Sequence, residues 1–166
     1  MVWRNAGLTL AAFIIQGTLA ENLAIQGIRP DFILIVLIYL ALAYGSLTGV
    51  ILGFVVGLLQ DFYGPATSLG LNALCKSLTG FCVGLGKEGL YKENLVILTL
   101  VLLVAHTFHD ALYWLVNVRF QTDLFLQGMW RSGLPTIAYT TVIGVLLALL
   151  IAYRGGQFNA RRLFPK

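Results

Sequence analysis

Charge is what this sequence has least of. Lysine, arginine, aspartate and glutamate make up 11% of its 166 residues, less than half the roughly 25% of an ordinary soluble domain. From residue 32 to residue 60 there is no charged side chain at all. A water-soluble fold of this composition would expose a largely apolar surface, which excludes it. Long polar stretches are missing too, so there is no room for a separate soluble domain. Neither a phosphate-binding glycine loop nor a nucleophile–base arrangement is present, so nothing points to an enzyme or to a cofactor. Cysteine is limited to Cys75 and Cys82. Seven residues apart on one apparent helix, they lie about 10 Å apart along its axis, too far for a mutual disulfide, and they read as small packing residues.

What is present is apolar. With 58% hydrophobic residues and a mean hydropathy of +0.85, the chain reads as an all-α polytopic membrane helix bundle over 1–153, with a basic tail over 154–166. Apolar runs fall near 6–26, 31–44, 46–62, 69–86, 94–117 and 133–153. The first could be a secretory signal, with Arg4 ahead of Leu8 to Ile15 and small residues near Ala20; we read it as a retained helix. The uncharged stretch between Asp31 and Asp61 allows two short helices turning at Tyr44-Gly45-Ser46, or one tilted helix of about 45 Å. The bundle therefore has six transmembrane helices or, in the alternative, five.

The distribution of basic residues does not choose between them. Six helices with an inner N-terminus place Arg4, Lys87, Lys92, Arg154, Arg161, Arg162 and Lys166 inside, against Arg29, Arg119 and Arg131 outside. Five helices exchange Arg29 for Arg4, and the score is seven to three either way. Both readings put the C-terminal tail in the cytoplasm. There Arg154, Arg161, Arg162 and Lys166 face anionic lipid headgroups, so the net charge of +4 reflects membrane orientation and not nucleic-acid binding.

Gly45, Gly49, Gly53 and Gly57 recur every four residues, and Gly80 and Gly84 repeat the spacing on the next helix. Such a face admits a neighbouring backbone, either within the bundle or from a partner. Polar residues also line up. Asn72, Lys76 and Thr79 form one stripe, and His106, His109, Asp110, Tyr113 and Asn117 another. Gln60 and Asp61 close the third span, Thr136, Tyr139 and Thr140 open the last, and Glu21 and Asn22 end the first. All fall in the outer half of the membrane, whereas the inner half is nearly pure aliphatic and glycine. An intramembrane lysine needs an anion or water, and Asp61 or Asp110 is the expected partner of Lys76, with Glu21 a further candidate. The cluster is a satisfied polar core or a pocket open to the outside. His106, His109 and Asp110 could share a metal or relay protons, but no third strong ligand set accompanies them, and interhelical hydrogen bonding is the simpler role. Between Arg119 and Gly133, the apolar Phe120, Leu124, Phe125, Leu126, Met129 and Trp130 alternate with Gln121, Asp123, Gln127 and Arg131. That mixture suits a loop lying in the membrane interface or receiving a periplasmic partner.

Arg29-Pro30-Asp31 before a short apolar helix, the glycine repeat, Gly57-Leu58-Leu59-Gln60-Asp61 and then Leu69-Gly70-Leu71-Asn72-Ala73-Leu74 together resemble the MreD family of bacterial rod shape-determining membrane proteins. The resemblance runs across the chain and is strongest from Arg29 to Gly89. One departure is the turn at Ala43 to Ser46, which often carries basic residues in that family. The resemblance implies six helices, a place in the bacterial inner membrane, and a non-catalytic role in the cell-elongation machinery that makes peptidoglycan. It also implies partnership with MreC and, through it, with MreB, RodA and a penicillin-binding transpeptidase. It further implies a fold similar to the substrate-binding subunits of energy-coupling-factor vitamin transporters, so a solute-binding role is the rival expectation.

Overall fold

The computed structural model describes residues 2–25, 27–63, 68–87 and 95–154, and among these there are helices and no named strand. The helices are α1 (Val2–Asn22), α2 (Phe32–Tyr44), α3 (Ser46–Asp61), α4 (Leu71–Leu85), α5 (Leu95–Asn117), α6 (Thr122–Gly128) and α7 (Leu134–Arg154), with a π-helical turn over Met129–Gly133 fusing the last two.

α2 is the central helix. Its sequence is apolar on every side, as suits a helix held away from water by protein or lipid. Nine of its 13 residues are buried, and Leu34, Leu37, Ile38, Ala41 and Leu42 share a core with Leu98, Leu102 and Ala105 of α5 and Ala148 of α7. Its start is set by Asp31, whose carboxylate accepts from the Leu34 N–H at 2.8 Å, and it stops at Gly45, where φ is +98°. A residue with a Cβ rarely adopts that conformation. The chain folds back there, so the stretch from 31 to 61 is two helices and not one: a Cβ on Gly49 of α3 would lie 3.0 Å from the Ala41 Cβ of α2.

α3 and α4 make the closest contact. A Cβ on Gly53 would lie 2.5 Å from the Lys76 carbonyl oxygen, and one on Gly57 would lie 2.5 Å from Ala73 Cα. Gly49 and Gly80 face each other, and Gly84 meets Ser46, so the two antiparallel backbones touch along their whole length. The α2–α3 turn has no basic residue of its own, but Lys87, just past α4, lies across it with its Cδ 3.3 Å from where a Gly45 Cβ would stand. A cation is thereby supplied to the C-terminal end of α2, where the helix dipole favours one.

The segment expected as a loop between Arg119 and Gly133 is mostly helical. α5 ends in a left-handed turn at Arg119 and Phe120 (φ 53° and 63°), closed by the Phe120 N–H on the Leu115 carbonyl at 2.9 Å. The chain then climbs straight back through α6. Pro135 has no N–H for the carbonyl four residues earlier, and the ladder slips into a π turn just before it. Inside this hairpin the Trp114 ring lies against Gly128, where a Cβ would come within 2.6 Å of ring carbon Cζ3.

Among the described residues two helical rods are long and apolar enough to cross a membrane: α5, of 23 residues, and the continuous rod from Thr122 to Leu150, of 29. α2, α3 and α4, with 13, 16 and 15 residues, rise about 20 to 24 Å. Large apolar side chains are exposed along the helices, Leu47, Ile51, Val96, Val104 and Leu146 among them, which is the surface expected against lipid.

Candidate functional site

One end of the bundle is organised by Asp31. Its Oδ1 caps α2, its Oδ2 receives the Lys76 ammonium at 2.5 Å, and its N–H donates to Thr140 Oγ1 of α7 at 3.2 Å. Gln16 of α1 brackets the same corner, donating to the Pro30 carbonyl at 3.0 Å and accepting from the Phe32 N–H at 2.8 Å. Four helices thus meet at the Arg29-Pro30-Asp31 segment. Lys76 is 0% exposed. Its backbone packs on Gly53 in the middle of α3, and only the long side chain reaches outward to the carboxylate.

This corrects the expectation that Asp61 or Asp110 neutralises Lys76. Asp61 has a different task. The N-terminus of α4 is capped by Gly70, which offers no side chain. Asp61, buried at the end of α3, supplies the missing acceptors: Oδ1 takes the Asn72 N–H at 3.1 Å and the Asn72 Nδ2 at 2.9 Å, and Oδ2 takes the Ala73 N–H at 3.1 Å. An anion there also complements the helix dipole. The Gln-Asp and Leu-Gly-Leu-Asn pieces are therefore two halves of one capping device. Asp110 instead pairs with His109, with Nδ1 and Oδ1 3.0 Å apart. For Glu21 only the backbone is among the described features.

The other polar residues fall around this corner. His106 Nδ1 lies 2.8 Å from the Leu102 carbonyl, which fixes Nδ1 as the donor and Nε2 as an acceptor. His106 and His109 are both buried, and among the described residues their Nε2 atoms, together with Gln60 Oε1 and Thr141 Oγ1, have no hydrogen-bond partner. Thr79 is satisfied by the Cys75 carbonyl at 2.8 Å. His109 stacks on Tyr113, whose edge meets Trp114, so an aromatic ladder climbs α5 toward the hairpin. No group of three His, Cys, Asp or Glu is gathered in metal-ligating range among the described residues. The interhelical ties are those made by Asp31, Gln16 and Asp61, whereas His106, His109 and Thr79 bond within their own helices, so the interhelical hydrogen bonds expected of the two histidines are not found among the described residues. Reading the sequence missed Gln16 altogether and took Asp31 only as a helix boundary; the apolar run directly after Arg29-Pro30-Asp31 was the signal for a capping role.

The other expected site residues are placed as follows. Gly49, Gly53 and Gly57 lie on the α3 face against α4, whereas Gly45, expected on the same helix face, is the turn residue ahead of α3 and is covered by Lys87. At the hairpin Phe120 and Trp130 are 69% and 77% exposed, and Leu124 is exposed as well, whereas Phe125 and Met129 are half-buried. Arg161, Arg162 and Lys166, and the side chain of Arg154, lie outside the described residues.

No solved structure matches the chain, so the similarity to vitamin-transporter subunits has no structural counterpart. A family model described as rod shape-determining protein MreD matches residues 5–153. With that match spanning nearly all of the described bundle, the chain belongs to the MreD family of rod shape-determining proteins, membrane proteins of the bacterial inner membrane.

Proposed function

We propose that this protein is a non-catalytic scaffold of the cell-elongation complex, crossing the inner membrane six times, with residues 1–153 as the bundle and the tail over 154–166 in the cytoplasm on anionic lipid. Its partner is MreC, and through MreC it joins MreB, RodA and a penicillin-binding transpeptidase. One observation carries this reading. The rod from Thr122 to Leu150 has 29 residues, about 44 Å at 1.5 Å per residue, against a hydrocarbon core of about 30 Å. Standing upright, the rod carries about 14 Å beyond the core, and its hairpin end bears the exposed Leu124 and Trp130, with the exposed Phe120 just ahead of it. Apolar side chains held above the bilayer on a rigid hairpin suit protein docking. The short α2, α3 and α4 span with the help of apolar flanks and local bilayer thinning.

Co-purification with MreC from detergent tests the proposal. The full chain retains MreC, and the double variant Trp130→Ala with Phe125→Ala loses most of it while the bundle stays folded. Undiminished retention moves the contact away from the hairpin, and no retention by the unaltered chain overturns the scaffold reading.

A further inference from the structure

The two buried histidines of α5 are each only half satisfied. His106 donates from Nδ1 to the Leu102 carbonyl at 2.8 Å, and His109 donates from Nδ1 to the Asp110 carboxylate at 3.0 Å. Both bonds stay within α5. In the neutral ring each leaves Nε2 as a lone-pair acceptor, and both Nε2 atoms are buried without a partner among the described residues.

The neighbouring helices hold the matching donors. Lys76 of α4 is fully buried, and its charge acts on the His109 ring. An ammonium has three N–H donors, and Asp31 accepts from one of them. On the other side, Gly144 of α7 packs against Leu102 of α5. One turn toward the hairpin from that contact, α5 carries His106 and the returning α7 carries Thr141. Thr18, Thr79, Thr99 and Thr107 each donate their hydroxyl to the carbonyl four residues earlier, a common bond for a threonine in a helix. The buried Thr141 hydroxyl makes no such bond and has no partner among the described residues.

Donor and acceptor thus correspond at two junctions, Lys76 with His109 and Thr141 with His106, yet neither pair is in direct hydrogen-bond contact. Buried polar groups left unpaired are costly, so a small species between them is favoured. Charge narrows the choice. A cation would meet Lys76, and an anion would meet Asp31 and Asp110, whose charges act on both rings. No three metal-ligating side chains gather there among the described residues. The species must be neutral, accept from an ammonium or a hydroxyl, and donate to an imidazole. Water does all three, and a buried water typically makes about three such bonds.

We propose that buried water ties α5 to α4 and α7, with one molecule between the Lys76 ammonium and His109 Nε2 and another between Thr141 Oγ1 and His106 Nε2. The interhelical bonds that the histidines do not make directly are made through these waters. The site depends neither on the scaffold reading nor on which way the bundle faces.

Solid-state NMR of the full chain in phosphatidylethanolamine–phosphatidylglycerol bilayers, with 15N-labelled histidine, tests this. The sequence has two histidines, so each ring is read separately. Both rings are protonated at Nδ1, and polarisation started on water protons reaches both Nε2 atoms. Thr141→Val keeps the shape of the side chain and removes its hydroxyl; it shifts the His106 Nε2 signal and leaves that of His109 in place. Lys76→Met with Asp31→Asn shifts His109 Nε2. No transfer from water to either Nε2 in the unaltered protein overturns the proposal, whatever the variants do. Transfer to one ring alone removes the bridge at the other, and a His106 signal indifferent to Thr141→Val removes the bridge to α7. A spectrum that changes on treatment with a chelator assigns the site to a metal ion and overturns the proposal as well.

Discussion

α4 shows two opposite ways for a helix to meet its neighbours. Toward α3 it offers Ala73, Gly80 and Gly84 to a matching row of glycines, and backbone lies on backbone. Toward α5 it offers Thr79, Cys82 and Val83, and the two helices part around a groove. In water both faces would close, since apolar surface is driven together. In lipid there is no such drive, and close packing has to come from shape. Small residues at a four-residue spacing supply that shape on one side only.

The largest effect expected from breaking this contrast is at the glycine seam. Gly53→Leu places side-chain atoms inside the α4 backbone and abolishes a monodisperse folded protein in size-exclusion chromatography, beyond the usual overpacking cost of about 1–3 kcal/mol because no flexible neighbour can yield. Gly17→Leu on α1, where a Cβ meets nothing within 4 Å, is the matched control and stays folded.

Next is the ion pair that fixes the third face of α4. Lys76→Ala leaves the Asp31 carboxylate without its cation and costs about 3–5 kcal/mol, read as a drop in thermal unfolding temperature. Lys76→Met with Asp31→Asn removes both charges and keeps a capping acceptor, and it recovers most of the loss. Equal damage from the single and double variants would show that the pair is not coupled.

Asp61→Ala is milder, about 1–2 kcal/mol, the usual worth of a helix cap. It raises hydrogen exchange at Asn72 and Ala73 and leaves α5 unaffected. The smallest effect is on the groove side, where Cys82→Leu changes the unfolding temperature within error, because surface positions away from close contacts shift stability by less than about 0.5 kcal/mol. A large destabilisation there would mean that this face is packed as tightly as the seam.

What could be read from the sequence follows the reach of its signals. The apolar runs and the Gly45–Gly57 row are periodic over a few turns, and such patterns point to helices and a close-packed face without tertiary knowledge. The partner of Lys76 could not be read in that way. Asp31 is 45 residues away and was seen as the end of a span. Helix ends in a bundle are brought together by packing order, which residue spacing does not report. The hairpin escaped for another reason. A reversal of this kind is expected to carry glycine, but here Arg119 and Phe120 hold the left-handed positions, and Gly128 and Gly133, which look like loop residues, make room for Trp114 and Met129.

The Asp31–Lys76 pair also has a consequence for biogenesis. Helices leave the ribosome in order, and a lysine at the centre of an inserting segment costs about 2.5–3.5 kcal/mol on the insertion scale. In the six-span arrangement proposed above, α4 is therefore a poor span on its own. By then α2 has been made, with Asp31 at its N-terminal end, and α3 has brought the chain back toward it. The fourth segment is accepted when it slides along the glycine row and finds its counter-ion waiting. Chain order thus doubles as an assembly instruction, in which an early acidic residue licenses the later basic one to stay in the membrane.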